Sequence, residues 1–513
     1  MDAEALGKFV HSQWMNECIP KLEEYIRIPN VSPFFVAPEQ SEAAKESQDK
    51  AMKLINDWVV SQPVAGMTVE LVTLDNRSPL LFIEVAASEG VVVKDSGTVL
   101  LYGHMDKQPP FTGWHEGLSP YEPVIKEGKL YGRGGADDGY AVFSAITAIR
   151  SVQEQGIPHS RCVLLVEACE ESGSPDLPYY IEYLKTQIGR PNLVICLDSG
   201  CGNYEQLWIT SSLRGMCAGR LKVELLTEGV HSGASGIVPD TFRIARDVLS
   251  RIECPKTGDI LLKELHCEIT PKVYQDTEKA AHVLGYEGLV KCFPLIEGGK
   301  PVSIKPGKDE LTELALNQWY RPQLTVTGAS GLPDSSNAGN VLRPFTTLSL
   351  SMRLPPACDA TTVAKTMHAA LSCDPPSGAS ITFDSKKCGR GWSAPPTAAW
   401  LDRLTREASM QYWGKEPIYQ GEGGSIPFMG MLGEMFPDAQ FLIIGVLGPN
   451  SNAHGPNEFL HIEFSEKLTS CVGYVIGHHA VEQVEKKITV ANNKRKVDEI
   501  ANNYGRNPDG TKF

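Results

Sequence analysis

Between residues 98 and 198 the chain alternates short β-branched apolar runs with stretches of helical spacing, and three of those runs end in groups that bind cations. Residues 98–103 run into His104-Met105-Asp106, residues 162–168 into Glu170-Glu171, and residues 193–197 into Asp198. Helical patterns at 137–152 and 177–186 lie between them. Strands alternating with helices specify an α/β layer with parallel strands. In such sheets ligands gather beyond the carboxyl ends of the strands, where these side chains fall. Two further groups join them. Asp137 follows Tyr131-Gly132-Arg133-Gly134-Gly135 at the start of a helix, and His454 sits in a Gly/Pro/Asn loop after the apolar run 441–446.

The rest of the chain surrounds this pattern. Amphipathic helices are expected at 3–28 and 43–60. After Arg214 the texture changes to alternating strands, 219–226 and 348–354, around helices at 241–251 and 361–371. That reads as a separate α+β domain inserted into the first. The expected boundaries are 1–212 for the first part of the α/β domain, 213–391 for the insert, 392–483 for completion of the first domain, and 484–513 for a solvated tail.

Composition excludes several classes. Lys+Arg 48 against Asp+Glu 62 leaves a net charge of −14, which repels phosphate backbones and anionic membranes, so neither nucleic acid nor membrane is an expected partner. The thirteen cysteines include no CxxC pair, which argues against a disulfide framework or a thiolate metal site and favours a reducing, cytoplasmic setting. No GKS/T follows the glycines at 132–135, and no GxSxG occurs, so neither a phosphate loop nor a serine hydrolase is supported. What remains is a set of imidazoles and carboxylates suited to divalent cations with a position open for water. Two neighbouring metals need a bridging carboxylate, and a base that is not a ligand must take the water's proton. The adjacent pair Glu170-Glu171 can divide those tasks, and Asp106 is placed to orient His104.

Gly103-His104-Met105-Asp106, Tyr131 to Gly134 with Asp137-Asp138, Glu170-Glu171-Ser172-Gly173, Asp198, His231-Ser232-Gly233 and Ala453-His454-Gly455-Pro456-Asn457-Glu458 together resemble the ordered motifs of the dinuclear zinc exopeptidases that include carnosinases and cytosolic nonspecific dipeptidases. The resemblance implies a phosphorylase/hydrolase-like catalytic domain with a mixed, mostly parallel sheet, interrupted by a ferredoxin-like lid and dimerisation domain. It implies hydrolysis of dipeptides with two divalent metals per subunit, zinc or alternatively manganese. His104, Asp137 and Asp198 would hold one metal, and Asp137, Glu171 and His454 the other. Glu170 would be the general base, and Asp106 would orient His104. A cis Asp137–Asp138 peptide is also implied. His231 would polarise the scissile carbonyl, usually in the other subunit of a homodimer. Arg353, Asn340 and Ser425 would contact the substrate, with Arg353 on its C-terminal carboxylate, and Glu422 would face its α-amine. An N-acyl amino acid amidohydrolase or a carboxypeptidase of the same family is the alternative, as is, more remotely, a non-catalytic binding relative. The family's Lys-Gly-Pro after the paired aspartates is here Gly139-Tyr140-Ala141, which alters the rim of the site.

Overall fold

In the computed structural model, which describes residues 1–424 and 427–504, ten strands form the two main sheets. They are β1 (Met67–Val72), β2 (Leu80–Val85), β3 (Thr98–His104), β4 (Arg161–Glu167), β5 (Leu193–Cys196), β6 (Gly215–Glu224), β7 (Gln323–Ser330), β8 (Phe345–Leu354), β9 (Ser380–Gly389) and β10 (Gln440–Ile443). The chain divides into two units. One comprises Met1–Ile209, Pro395–Pro417 and Phe436–Phe513, and the other Thr210–Ala394 with Ile418–Met435.

The first unit is built on a six-stranded sheet of order β1-β2-β4-β3-β5-β10. β4, β3, β5 and β10 run parallel, and β1 and β2 form an antiparallel edge. Every residue of β3 is buried, as a strand covered on both faces requires. The helix Tyr140–Glu154 follows the Asp137 turn. It packs against the long helix Ile462–Tyr504, which also meets Ala399–Trp413 and Ala3–Gln13. That long helix continues past residue 484, where the sequence leads one to expect a tail. Close helix–sheet approach at the site depends on Gly103, where a Cβ would lie 2.5 Å from Ala141 Cβ and 2.9 Å from Asp138 Oδ2.

The second unit carries a four-stranded antiparallel sheet of order β7-β8-β6-β9, with helix Thr241–Leu249 following β6 and helix Ala360–Ser372 between β8 and β9. Alternate residues of β6 and β8, among them Cys217, Leu221, Leu350 and Met352, form its core with those helices. Asp240 and Asp359 accept hydrogen bonds from the backbone N–H of Arg243 and Thr362 and so cap the two helices.

Three features correct the sequence reading. The segment Ile418–Met435 belongs with the inserted unit rather than with the completed α/β domain. Two more helices, Pro271–Tyr286 and Glu310–Trp319, lie in the insert. The first buries only Thr277, Ala280 and Ala281, so small residues hide its inner face from a search for apolar periodicity. Finally, Cys217 and Cys388, directly opposite on β6 and β9, are joined as a disulfide, whereas the composition argued for free thiols. Among the described residues no helix is long and apolar enough to cross a membrane.

Candidate metal centre

The parallel strands β3, β4 and β5 deliver their terminal side chains to one edge of the first unit's sheet. His104 is the last residue of β3 and stands in register with Glu167, the last of β4. Glu170 and Glu171 follow in the short turn Glu170–Ser172, and Asp198 lies two residues beyond β5. Asp137 comes from the turn Gly135–Gly139 ahead of helix Tyr140–Glu154, and the Asp137–Asp138 peptide is cis. His454 arrives from the loop after β10 with a left-handed φ of 63°.

These residues form two groups that share Asp137. His104, Asp137 and Asp198 offer ligand atoms that all lie within 4.8 Å of one another, and so do Asp137, Glu171 and His454. The two oxygens of Asp137 face different ways. Oδ1 is 3.3 Å from His104 Nε2, and Oδ2 is 3.1 Å from His454 Nε2. His454 Nε2 is also 3.1 Å from Glu171 Oε2, and His104 Nε2 is 3.9 Å from Asp198 Oδ2.

The surroundings fix each group. His104 Nδ1 is 3.2 Å from the Asp106 carbonyl and 3.4 Å from its carboxylate, so the ring's proton belongs on Nδ1 and the Nε2 lone pair points at the cluster. The fully buried Asp106 carboxylate also accepts from the backbone N–H of Glu170 (3.0 Å) and Glu171 (3.1 Å), locking histidine and glutamate pair together. Gln108 donates to Glu171 Oε2 at 2.6 Å, and Asp138 Oδ2 accepts from the His104 N–H at 3.2 Å.

Two further residues inside the sequence motifs, Arg133 and Glu458, support the cluster. Glu458 Oε1 accepts from the N–H groups of Gly134, Ala136 and Asp137 at 3.0–3.3 Å, while its Oε2 pairs with Arg133 at 2.5 Å. Arg133 in turn donates to the Gly455 carbonyl at 2.6 Å. One buried ion pair thereby ties the Asp137 turn to the His454 loop. The only signal in the sequence was an arginine and a glutamate inside glycine-rich motifs.

Electrostatically the site has more anions than its own cations balance. Burial, and then Asp198, Glu171 and Glu167, push Glu170 well above the usual carboxylate range. Burial and Asp137 raise Glu171 to about 7, and burial raises Glu167 to about 7. Burial opposes a charge on His454, but Asp137 and Glu171 overcome it and raise its pKa to about 11. Among the described residues, the buried atoms Asp137 Oδ2 and Glu171 Oε1 accept no hydrogen bond of good geometry. Imidazole and carboxylate donors, no thiolate, a shared carboxylate and unsatisfied oxygens fit two divalent cations.

In the second unit the remaining residues fall in two places. His231 pairs with Val341 in a two-stranded ribbon, and the Asn340 carbonyl accepts from the Ser232 N–H at 2.9 Å, which makes His231 and Asn340 neighbours. Both are exposed. His231 Nδ1 accepts from the Gly233 N–H at 3.0 Å, which leaves Nε2–H as the neutral ring's donor. Arg353 is half-buried on β8, and Glu422 ends the strand Ile418–Glu422 with its carboxylate accepting from Thr210 Oγ1 at 3.0 Å. Ser425 lies outside the described residues.

A family model described as peptidase family M20/M25/M40 matches residues 100–478. The chain belongs to that peptidase family. Family membership implies divalent metal binding, which the paired donor groups accommodate. Among curated relatives, the chain is similar to the cysteinylglycine-S-conjugate dipeptidase of Corynebacterium striatum, 28% identical over 73% of this chain and 80% of that protein. It is also similar to the human Beta-Ala-His dipeptidase, 25% identical over 71% of each. Among solved structures, human carnosine dipeptidase 1 matches with a TM-score of 0.72 at 21% identity, over 94% of this chain and 99% of that one. An M20 family metallo-carboxypeptidase from Sulfolobus solfataricus matches with a TM-score of 0.73 at 19% identity, over 91% and 100%. These structural matches confirm the fold: mixed sheets and helices of the M20 type.

Proposed function

We propose that this M20 peptidase hydrolyses the peptide bond of dipeptides, and of short peptides, that carry a free α-amine and a free carboxylate. The observation that carries the reading is the pair of His/carboxylate groups sharing Asp137, and the names of the dipeptidase relatives support it. His104, Asp137 and Asp198 hold one cation, and Asp137, Glu171 and His454 the other. Zinc is the metal that best suits this donor set, with manganese the alternative. When bound, the cations supply Lewis acidity to a water and to the scissile carbonyl.

The chain's own residues do the rest. Glu170 takes a proton from the water as its oxygen bonds to the carbonyl carbon, then gives that proton to the amine nitrogen as the C–N bond breaks. Asp106 keeps His104 oriented. His231 Nε2–H donates to the developing oxyanion. Arg353 binds the terminal carboxylate with Asn340 and Ser425 as polar contacts, and Glu422 receives the α-ammonium. The inserted ferredoxin-like unit serves as lid and dimerisation surface.

Glu422 makes the reading testable against its nearest rival. Masking the amine removes a charge-assisted contact of about 1.5–3 kcal/mol. The metal-loaded protein should therefore cleave free dipeptides at least tenfold faster, in kcat/KM, than their N-acetyl forms. Equal or reversed rates in a coupled amino acid assay would replace the dipeptidase reading with an N-acyl amino acid amidohydrolase.

A further inference from the structure

Arg214, immediately ahead of β6, and Arg353, on β8, both belong to the second unit, and neither has a carboxylate partner among the described residues. Arg353 on β8 stands opposite Met216 of β6, two residues beyond Arg214. Strand alternation therefore puts Met216 and Arg353 on the face opposite Cys217, Met352 and Leu354, which pack into the core with the helices, and Arg214 immediately precedes β6. Long side chains at such diagonal positions reach one another.

Arg214 is only 8% exposed, yet its guanidinium is engaged on one side alone. Nε donates to the Gly423 carbonyl at 3.2 Å, and Nη1 donates to the carbonyls of Asn317 and Arg321 at 3.3 Å each. Its backbone N–H donates to the Glu422 carbonyl at 3.2 Å. Nη2 makes no hydrogen bond among the described residues. Arg353 makes no hydrogen bond or ion pair among them. Burial and the neighbouring Arg353 charge lower the Arg214 pKa to about 10. Arg214 has only carbonyl acceptors and Arg353 has none, so an anion reaching both would relieve the repulsion of two neighbouring guanidiniums. Gly423 keeps Nη2 accessible, since a Cβ there would lie 3.2 Å from it.

We propose that Arg214 is a second anion-binding arginine of the substrate site. Nη2, beside Arg353, contacts the substrate's terminal carboxylate, while Nε and Nη1 hold the Glu422-Gly423-Gly424 backbone in place. The proposal rests on the dipeptidase reading for the identity of the anion. It explains why this loop groups with the inserted unit: Arg214 ties it to the end of helix Glu310–Trp319.

The test uses a non-cleavable probe, the reduced isostere of alanyl-alanine in which the peptide carbonyl is a methylene, as free acid and as C-terminal amide. Calorimetric titration of the metal-loaded protein gives the acid-over-amide preference without turnover. Two charge-assisted contacts predict a preference of at least about thirtyfold in the wild type. Arg214→Gln should cut that preference about tenfold or more, weakening the acid far more than the amide. Arg214→Lys, which keeps the charge but not the fork, should lose at least about threefold, and it decides the matter if Arg214→Gln does not fold. An unchanged preference in either variant, equal weakening of acid and amide, or no preference in the wild type would overturn the proposal. Cleavage of alanyl-alanine is measured separately. Turnover with an unchanged preference defeats only the role of Arg214, and an Arg214-dependent preference without turnover defeats only the dipeptidase reading.

Discussion

Asp137 and Asp106 each organise the centre by dividing their two oxygens between different partners. Asp137 faces both imidazoles, while Asp106 orients His104 and accepts from the 170–171 backbone, so neither can change without disturbing two neighbours. Glu170 differs, because it belongs to neither ligand group. Glu170→Gln should therefore keep the full metal content by elemental analysis while kcat falls by about 10²–10⁴, the usual worth of a general base. Retained activity would remove Glu170 from the proton transfer, and lost metal would make it a ligand. The candidate ligands were legible as residues because His, Asp and Glu at strand ends are conspicuous. Their supports were not. Glu458 and Arg133 act through backbone groups, and the four-carbon stem of Lys107 hides an Nζ that donates to the carbonyls of Tyr25, Ile26 and Ile28 at a helix end. Such contacts depend on where two distant segments meet, which no local pattern encodes.

At the level of elements, parallel strands and short loops crowd carboxylates at one sheet edge, and stability responds to that crowding. Glu167 and Glu171 hold their protons up to about 7 in the fold, against about 4.3 when unfolded. Folding is thus favoured below pH 4.3, and that contribution is lost as pH rises to 7. The raised His454 acts in the same sense, its contribution present below about 6.5 and lost toward 11. The metal-stripped protein should melt a few degrees lower at pH 8 than at pH 5, and added zinc or manganese should stabilise it more at pH 8. A melting temperature that is flat or rises with pH would contradict this balance of charges. The strands themselves were readable because β3, β4 and β5 are continuous apolar runs buried on both faces. Helix Pro271–Tyr286 escaped because its buried face is made of alanine and threonine, and the placement of Ile418–Met435 because Arg214 reaches it only in three dimensions.

In the whole molecule, the candidate ligands belong to one unit, and His231, Asn340, Arg353 and Glu422 belong to the other. If His231 serves a second subunit's centre, inactive His231→Ala and Glu170→Gln proteins mixed and refolded together should regain up to about a quarter of wild-type activity, as random pairing of subunits allows. No regain would place His231 in its own chain's reaction. The fold class was legible at this scale from the alternation of strands and helices and from the change of texture after Arg214. Both candidate ligand groups depend on the one carboxylate they share, Asp137. Metal bound per chain, measured by elemental analysis after reconstitution and desalting, should be two for the wild type and fewer than one for Asp137→Asn, because both groups lose a ligand together. One metal in the wild type, or two retained without the Asp137 carboxylate, would contradict a shared dinuclear centre.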